Sequence, residues 1–83
     1  MLTLTEVVGT AVTVEDGGGV NTATAMCPAG QRAVSGGFTA SSSLIFPVES
    51  RRPVGFTDRW TVTFRNTSSN VDGTAQAIVY CSP

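Results

Sequence analysis

The sequence has no histidine, and all five of its basic residues are arginine, so lysine is absent as well. Histidine is the side chain that proteins use most often as a general base and as a metal ligand. A Ser–Lys dyad is impossible without lysine, and the serine run at residues 41–43 has no candidate base nearby in sequence. We therefore predict a protein that is not an enzyme and that uses no metal ion and no cofactor.

Charge and long apolar runs are also scarce. Charged residues make up 13% of the chain and the net charge is −1, which gives no reason to expect nucleic acid or an anionic membrane as a partner. No apolar run approaches the ~20 residues that a membrane-spanning helix needs, so we predict no membrane insertion. The first residues lack the basic start and apolar run of a signal peptide. We expect a mature or excised fragment, or part of a virion protein or larger secreted protein.

The two cysteines, Cys27 and Cys81, are far apart in the sequence. Cysteines in a short chain indicate an oxidising environment and a disulfide, with two buried free thiols as the alternative. A bridge would close a loop of about 50 residues and stabilise the fold by roughly 4 kcal/mol in the chain-entropy model. We predict one disulfide-stapled domain, residues 1–83, in an extracellular, secreted or virion-surface setting.

Short segments of alternating apolar and polar residues indicate strands throughout, and no segment has the periodicity of a helix. The predicted strands cover residues 2–14, 20–27, 32–40, 44–50, 59–65 and 74–82. Gly9 interrupts the first strand as a bulge or close approach, and Pro47 confines the fourth to an edge or a bulge. We predict an all-β fold of about six strands, a small antiparallel β-sandwich or barrel-like fold with one disulfide.

The alternation also predicts which residues share a face. The last strand places Ala75, Ala77, Val79 and Cys81 together, and strand 59–65 places Trp60, Val62 and Phe64 together, filling the core with Phe38. In the third strand Val34, Gly36 and Phe38 share a face. In the first strand Val8, Val12 and Val14 are predicted to share one face and Val7 and Ala11 the other, so both faces carry apolar residues and are expected to be covered. Gly36-Gly37 predicts a close approach to the backbone, by a bulky aromatic or by a ligand.

Three motifs have a structural and a functional interpretation. The glycine-rich stretch 15–19 predicts a hairpin turn, because no helix follows it as a phosphate loop requires. Glu15-Asp16 could hold calcium only weakly, since this cation takes six to eight oxygen ligands. Asn66-Thr67-Ser68 fits a glycosylation acceptor, although a polar turn explains it equally.

Several motifs occur in a defined order: Cys27-Pro28-x-Gly30, Gly36-Gly37-Phe38, Ser50 with Pro53, Trp60-Thr61-Val62-Thr63, and an alanine-rich last strand ending in Cys81. In this order and spacing, essentially the whole chain resembles a small β-domain of secreted bacterial proteins, especially actinobacterial ones, and of phage tail and fibre proteins. There the domain commonly follows a collagen-like region at the C-terminal end. The chain departs from that pattern at Ser35 and Arg59, where the family usually has glycine, and at Ala77, where it often has an aromatic residue.

The resemblance implies a non-catalytic, surface-displayed structural module. As a C-terminal knob of a collagen-like or fibre-type protein, it would bring chains together as a homotrimer. Apolar residues of the first strand, with Ile78 and Tyr80 opposite the cysteine face of the last strand, offer surface for subunit contacts.

A second hypothesis is a monomeric adhesion or carbohydrate-binding module whose partner is a cell-surface glycan or host receptor. Its candidate contacts are Phe46, Phe56 and the pair Arg51-Arg52, because aromatic residues and arginine are enriched at interfaces. The core is the alternative place for both phenylalanines. An enzyme inhibitor is a third hypothesis, with Arg51-Arg52-Pro53 as its only candidate loop.

Overall fold

A computed structural model describes residues 3–83 and shows seven strands in two antiparallel sheets. The strands are β1 (Thr5–Val8), β2 (Val12–Val14), β3 (Val20–Met26), β4 (Arg32–Ala40), β5 (Ile45–Arg51), β6 (Arg59–Asn66) and β7 (Gly73–Ser82). The predicted all-β class is confirmed, and the predicted first strand is divided into β1 and β2. Residue 2, predicted to start that strand, lies outside the described residues. The described part of the chain contains no helix suited to crossing a membrane.

The long strand β7 organises the first sheet. β4 pairs along one of its edges, and β1 and β2 pair end to end along the other. The second sheet has the order β3–β6–β5. Only β5 and β6 are both consecutive and directly paired. The glycine turn at 15–19 therefore connects the two sheets, and the prediction of a hairpin there is wrong. A strand pattern with a turn does not distinguish a hairpin from a crossover, because both need the same backbone reversal.

A one-residue bulge separates β1 from β2. Val8 pairs with Ile78 and Val12 pairs with Ala75, so residues 9–11 oppose only residues 76 and 77. An extra residue reverses which side chains face inwards. The prediction that Val8 shares a face with Val12 and Val14 is therefore wrong: Val14 is fully buried, whereas Val8 is 49% exposed. Both parities carry apolar residues because the facing changes at the bulge.

The close approach predicted at Gly9 is confirmed. A β-carbon added there would collide with the carbonyl oxygen of Thr24 in the other sheet. The Gly9 amide also donates to the carbonyl of Ala77 at 2.8 Å. Glycine is needed here because the backbone of the other sheet lies too close to leave room for a side chain.

A second bulge occurs at Val34 in β4. Ala33 pairs with Cys81 and Ser35 with Tyr80, which leaves Val34 as the extra residue. Ala33 is 3% exposed and Val34 is 51% exposed. The predicted sharing of a face by Val34 and Gly36 is wrong, because the inserted residue reverses the alternation.

The core lies between the inner faces of the two sheets and contains Val14, Ala23, Ala25, Ala33, Ile45, Val62, Phe64, Ala75, Ala77, Val79 and Cys81. The predicted inner faces of β6 and β7 are confirmed. A disulfide joins Cys27 to Cys81, with 5.8 Å between their α-carbons, so the alternative of two free thiols is excluded. Small alanines beside the bridge let the sheets approach each other closely.

Two aromatic residues depart from complete burial. Trp60 is partly buried and packs against the core. Phe38 contacts Phe64 edge-on, with ring centroids 5.7 Å apart, but remains 43% exposed. Its prediction as a core residue is therefore only half right, because β4 is an edge strand and its inner face is open at the side. The prediction for Pro47 is confirmed, since β5 is an edge strand and its register shifts between Pro47 and Glu49.

Candidate functional site

The outer face of the β7 sheet is apolar at its centre. Ile78 on β7 lies between Val8 on β1 and Gly37 on β4, and Tyr80 occupies the next outward position of β7. A β-carbon added to Gly37 would meet nothing within 4 Å. No side chain therefore projects from this position. We call Val8, Gly37, Ile78 and Tyr80 the apolar outer face; Glu6 and Ser35, opposite Tyr80, form its polar rim.

The outer face of the second sheet is polar at its centre and carries exposed apolar residues towards its ends, where Val20 and Phe46 flank Arg65 and Met26 lies opposite Arg59. The cross-strand pairs Thr22–Thr63 and Thr24–Thr61 form its centre. The hydroxyls of Thr22 and Thr63 are hydrogen-bonded at 2.9 Å. Glu49 lies opposite Thr63 on the third strand. Outward polar residues are the ordinary arrangement in a sandwich, and the two faces differ at their centres: apolar on the β7 sheet, threonine-rich on the second sheet.

The structure separates the other candidate residues. Phe46 pairs with Arg65 and Arg51 pairs with Thr61, so they lie five residues apart along β5, about 16 Å at ~3.3 Å per residue. Arg52 and Phe56 belong to the loop between β5 and β6. Ile78 and Tyr80 are thus brought together on one face, whereas the phenylalanines and the arginine pair do not form one cluster.

Phe56 has an intramolecular partner. The guanidinium of Arg59 lies 4.0 Å from the centre of its ring, in the geometry of a cation–π contact. The same guanidinium donates through Nε to Asp58 Oδ1 at 2.9 Å. This hydrogen bond, helped by the positive charge of Arg59, holds the pKa of Asp58 below its ordinary value. Phe56 remains 46% exposed, but Arg59 covers one face of its ring.

The β5–β6 loop is tied to the disulfide end of the fold. Its Thr57 carbonyl accepts from the Ala33 amide at 2.8 Å, and its Asp58 carbonyl accepts from the Cys27 amide at 2.7 Å. A turn in which Gly55 has a φ of 86° places Val54 at the tip, 82% exposed. The loop predicted as an inhibitor segment is therefore anchored at its base and exposed at its tip.

A cleft of about 360 Å³ opens beside this loop. It is lined by Arg32, Ala33, Val34, Arg52, Ser82 and Pro83, and we call it the basic cleft. Arg32 lies opposite Ser82 in the β4–β7 ladder, while Arg52 enters from the loop. Sequence reasoning identified Arg52 but missed Arg32, because the two arginines are distant in the chain and no local pattern relates them.

Asn66 organises the opposite end of the molecule and is 1% exposed. Its side-chain amide donates to the carbonyls of Val14 and Val71, both at 2.9 Å, and its Oδ1 accepts from the Ser68 amide. A glycan on this nitrogen would replace one of its two N–H donors, so at least one of the carbonyl contacts would be lost, and the sugar would have to fit at a side chain that is 1% exposed. Of the two interpretations of Asn66-Thr67-Ser68, the structure therefore supports the turn.

The backbone around Asn66 and Ser68 also binds the glycine-rich turn. The amides of Gly17 and Gly18 donate to the carbonyls of Ser68 and Asn66 at 2.8 and 3.0 Å, and the turn leads into a strand. These two amides are therefore committed to the fold, which argues against a phosphate loop. Within residues 3–83 no three acidic or cysteine side chains come together as a metal site would require.

No family model, no curated protein and no solved structure matches this chain.

Proposed function

We propose that the chain is a non-catalytic structural module that self-associates as a homotrimer through the apolar outer face. The observation that carries this proposal is the contrast between the centres of its two outer sheet faces. Val8, Ile78 and Tyr80 form a contiguous apolar centre on one sheet, whereas threonines occupy the centre of the other. An exposed apolar patch with a polar rim is typical of a surface that contacts another protein.

The shape of the apolar outer face also favours association. Gly37 leaves the centre of the face without a protruding side chain, which allows neighbouring sheets to approach closely. A standard interface buries about 800 Å² on each partner, roughly a sixth of this domain's 4878 Å² surface. Full burial of an aliphatic side chain of this size contributes about 1.5–3 kcal/mol; Ile78 is already half-buried in the monomer and Val8 is 49% exposed, so each would contribute only part of this on association.

The Cys27–Cys81 disulfide is consistent with an oxidising extracellular environment. We place the module in an extracellular, secreted or virion-surface protein of the collagen-like or fibre type, as its C-terminal knob. In that position, a trimeric domain would hold three fibrous chains together and set their register.

The test is the solution mass by light scattering over a wide concentration range, with Ile78→Asp as the disrupting variant. Thr24→Asp is the matched control, because it adds the same charge to the outer face of the other sheet. We expect a trimer for the parent chain and for Thr24→Asp, and a folded monomer for Ile78→Asp. Circular dichroism distinguishes a folded monomer from an unfolded chain, and Tyr80→Ser provides a milder second variant.

A parent chain that is monomeric at every concentration would overturn self-association, and so would a trimer that survives Ile78→Asp. The monomeric result would favour a monomeric adhesion or carbohydrate-binding module, with a cell-surface glycan or host receptor as its partner. A glycan screen would then be the next measurement.

A further inference from the structure

Charge is distributed unevenly along the molecule, whose longest dimension is 45 Å. The strand directions place Arg32, Arg51 and Arg52 at the end that carries the disulfide, at the start of β4 and the end of β5. Glu15, Asp16 and Asp72 lie at the opposite end, together with Arg65, whereas Glu6 lies opposite Tyr80 towards the disulfide end. Among the described residues the single ion pair is Arg59–Asp58. The disulfide end therefore carries arginines whose charge the fold does not neutralise by direct pairing.

The basic cleft concentrates this charge. Two of its six lining residues are arginines, Ser82 adds a hydroxyl, and Ala33 and Val34 add an apolar wall. No aspartate or glutamate side chain is part of the lining. A guanidinium presents a planar set of donors that matches the two oxygens of a carboxylate or sulfate. The volume of about 360 Å³ is at the lower end of the range for small-molecule sites.

The walls of the cleft are held in place by the fold. Arg32 and Ser82 are opposite each other in the β4–β7 ladder. The neighbouring residue Cys81 is bonded to Cys27, and the Ala33 amide binds the loop that carries Arg52. A site assembled before its ligand arrives loses less conformational entropy on binding. The two guanidiniums are therefore attached to a backbone that does not have to be ordered by the ligand.

We infer that the basic cleft binds the oxyanion of an acidic saccharide, either the carboxylate of a uronic acid or a sulfate ester. Arg32 and Arg52 would hold the oxyanion, Ser82 would bond a sugar hydroxyl, and Val34 would contact the C–H face of the ring. No aromatic ring lines the cleft for base stacking, which disfavours single-stranded nucleic acid. The inference does not rest on the proposed trimer.

The test is an NMR titration of the ¹⁵N-labelled chain with three tetrasaccharides: a galacturonic acid tetramer with carboxylates only, a κ-carrageenan tetramer with sulfate esters only, and neutral cellotetraose. We expect amide shifts concentrated at Arg32, Val34 and Ser82 with at least one acidic tetramer and none with the neutral one. The acidic tetramer that binds more tightly identifies whether carboxylate or sulfate is the group recognised. Sodium sulfate alone, at matched concentration, should bind much more weakly than the preferred tetramer.

Two variants test the role of the arginines, and a third is the matched control. Arg32→Gln and Arg52→Gln should each weaken binding about tenfold, since each removes a charge-assisted contact. Arg65→Gln makes the same change of charge on the outer face of the second sheet and should leave binding unchanged. Rising salt should weaken binding by the parent chain.

Four results would overturn the inference: no shifts with either acidic tetramer, shifts that map away from the cleft, equal binding of cellotetraose, or equal weakening by Arg65→Gln. Equal binding of inorganic sulfate would overturn recognition of the saccharide. Light scattering in the same buffer reports the mass independently, so a failure of this inference and a failure of self-association are separate results.

Discussion

The indole ring of Trp60 lies against the backbone of Gly36 across the gap between the two sheets. A β-carbon built on Gly36 would fall on the ring atoms of Trp60. The ring is further held by its Nε1–H, which donates to Ser50 Oγ at 2.9 Å. This contact accounts for Gly36 in the middle of a strand, where glycine is otherwise unfavourable. An aromatic ring, and not a ligand, makes the close approach predicted for the glycine pair.

Gly36→Ala should therefore destabilise the fold by about 1–3 kcal/mol, because overpacking forces the indole out of its position. Gly37→Ala is the control, since its added methyl group would point into open space and should change stability by less than ~0.5 kcal/mol. Urea unfolding followed by tryptophan fluorescence measures both variants. Equal stabilities for the two variants would contradict the close contact between the Trp60 ring and the Gly36 backbone.

Asn66→Ala should destabilise the fold by on the order of 3 kcal/mol. The change removes three side-chain hydrogen bonds and leaves buried backbone groups of Val14 and Ser68 without that partner. Asn70→Ala is the comparison, because Asn70 is exposed and its side chain makes one long contact of 3.3 Å with Ser68. Thermal and urea unfolding would show whether Asn66 alone has this effect. Similar losses of stability for the two variants would contradict a stabilising role for the three Asn66 hydrogen bonds.

The double change Cys27→Ala and Cys81→Ala should cost about 4 kcal/mol, because the unfolded chain loses the constraint of a long covalent loop. Reductant should lower the unfolding midpoint of the parent chain and leave the double variant unaffected. The free energy of unfolding from urea titration is the measurement. A loss below ~1 kcal/mol would show that the pairing of β3 with β6 and of β7 with its neighbours holds the two sheets in place without the bridge.

The pair Asp58–Arg59 predicts a specific pH dependence. The hydrogen bond from Arg59 lowers the pKa of Asp58 in the folded state, so the folded state favours the ionised carboxylate. This contribution to stability is complete above the unfolded pKa of ~3.9 and is lost as the pH falls through the folded value. Because Asp58 is exposed, the effect on stability should be small and screened by salt.

A carbon-detected NMR titration of the Asp58 carboxyl measures this directly. In Arg59→Gln the midpoint should return towards the ordinary value of aspartate, whereas in Arg65→Gln it should stay where it is in the parent chain. The Phe56 ring resonances should also shift in Arg59→Gln, because the guanidinium above the ring is removed. A midpoint of Asp58 that is the same in all three chains would rule out the pair in solution.

The sequence by itself determined the local features of this fold. Alternation identified the inner faces of β6 and β7, the two cysteines identified the bridge, and Pro47 identified an edge strand with a bulge. The inner faces and the edge strand follow from the residues of a single strand, and the bridge follows because two cysteines allow only one pairing. The outward placement of Ile78 and Tyr80 follows from the same alternation, since residues two apart in a strand point to the same side.

Only the tertiary structure decided which strands pair and where the register slips. The bulges near Gly9 and at Val34 reverse the facing of the residues around them, and this reversal depends on the partner strand, because an extra residue is defined only against its neighbour. The assignment of consecutive strands to different sheets likewise depends on contacts between distant segments. The basic cleft has the same origin: Arg32 and Arg52 share a site because the β5–β6 loop binds the start of β4, a contact that leaves no periodic trace in the sequence.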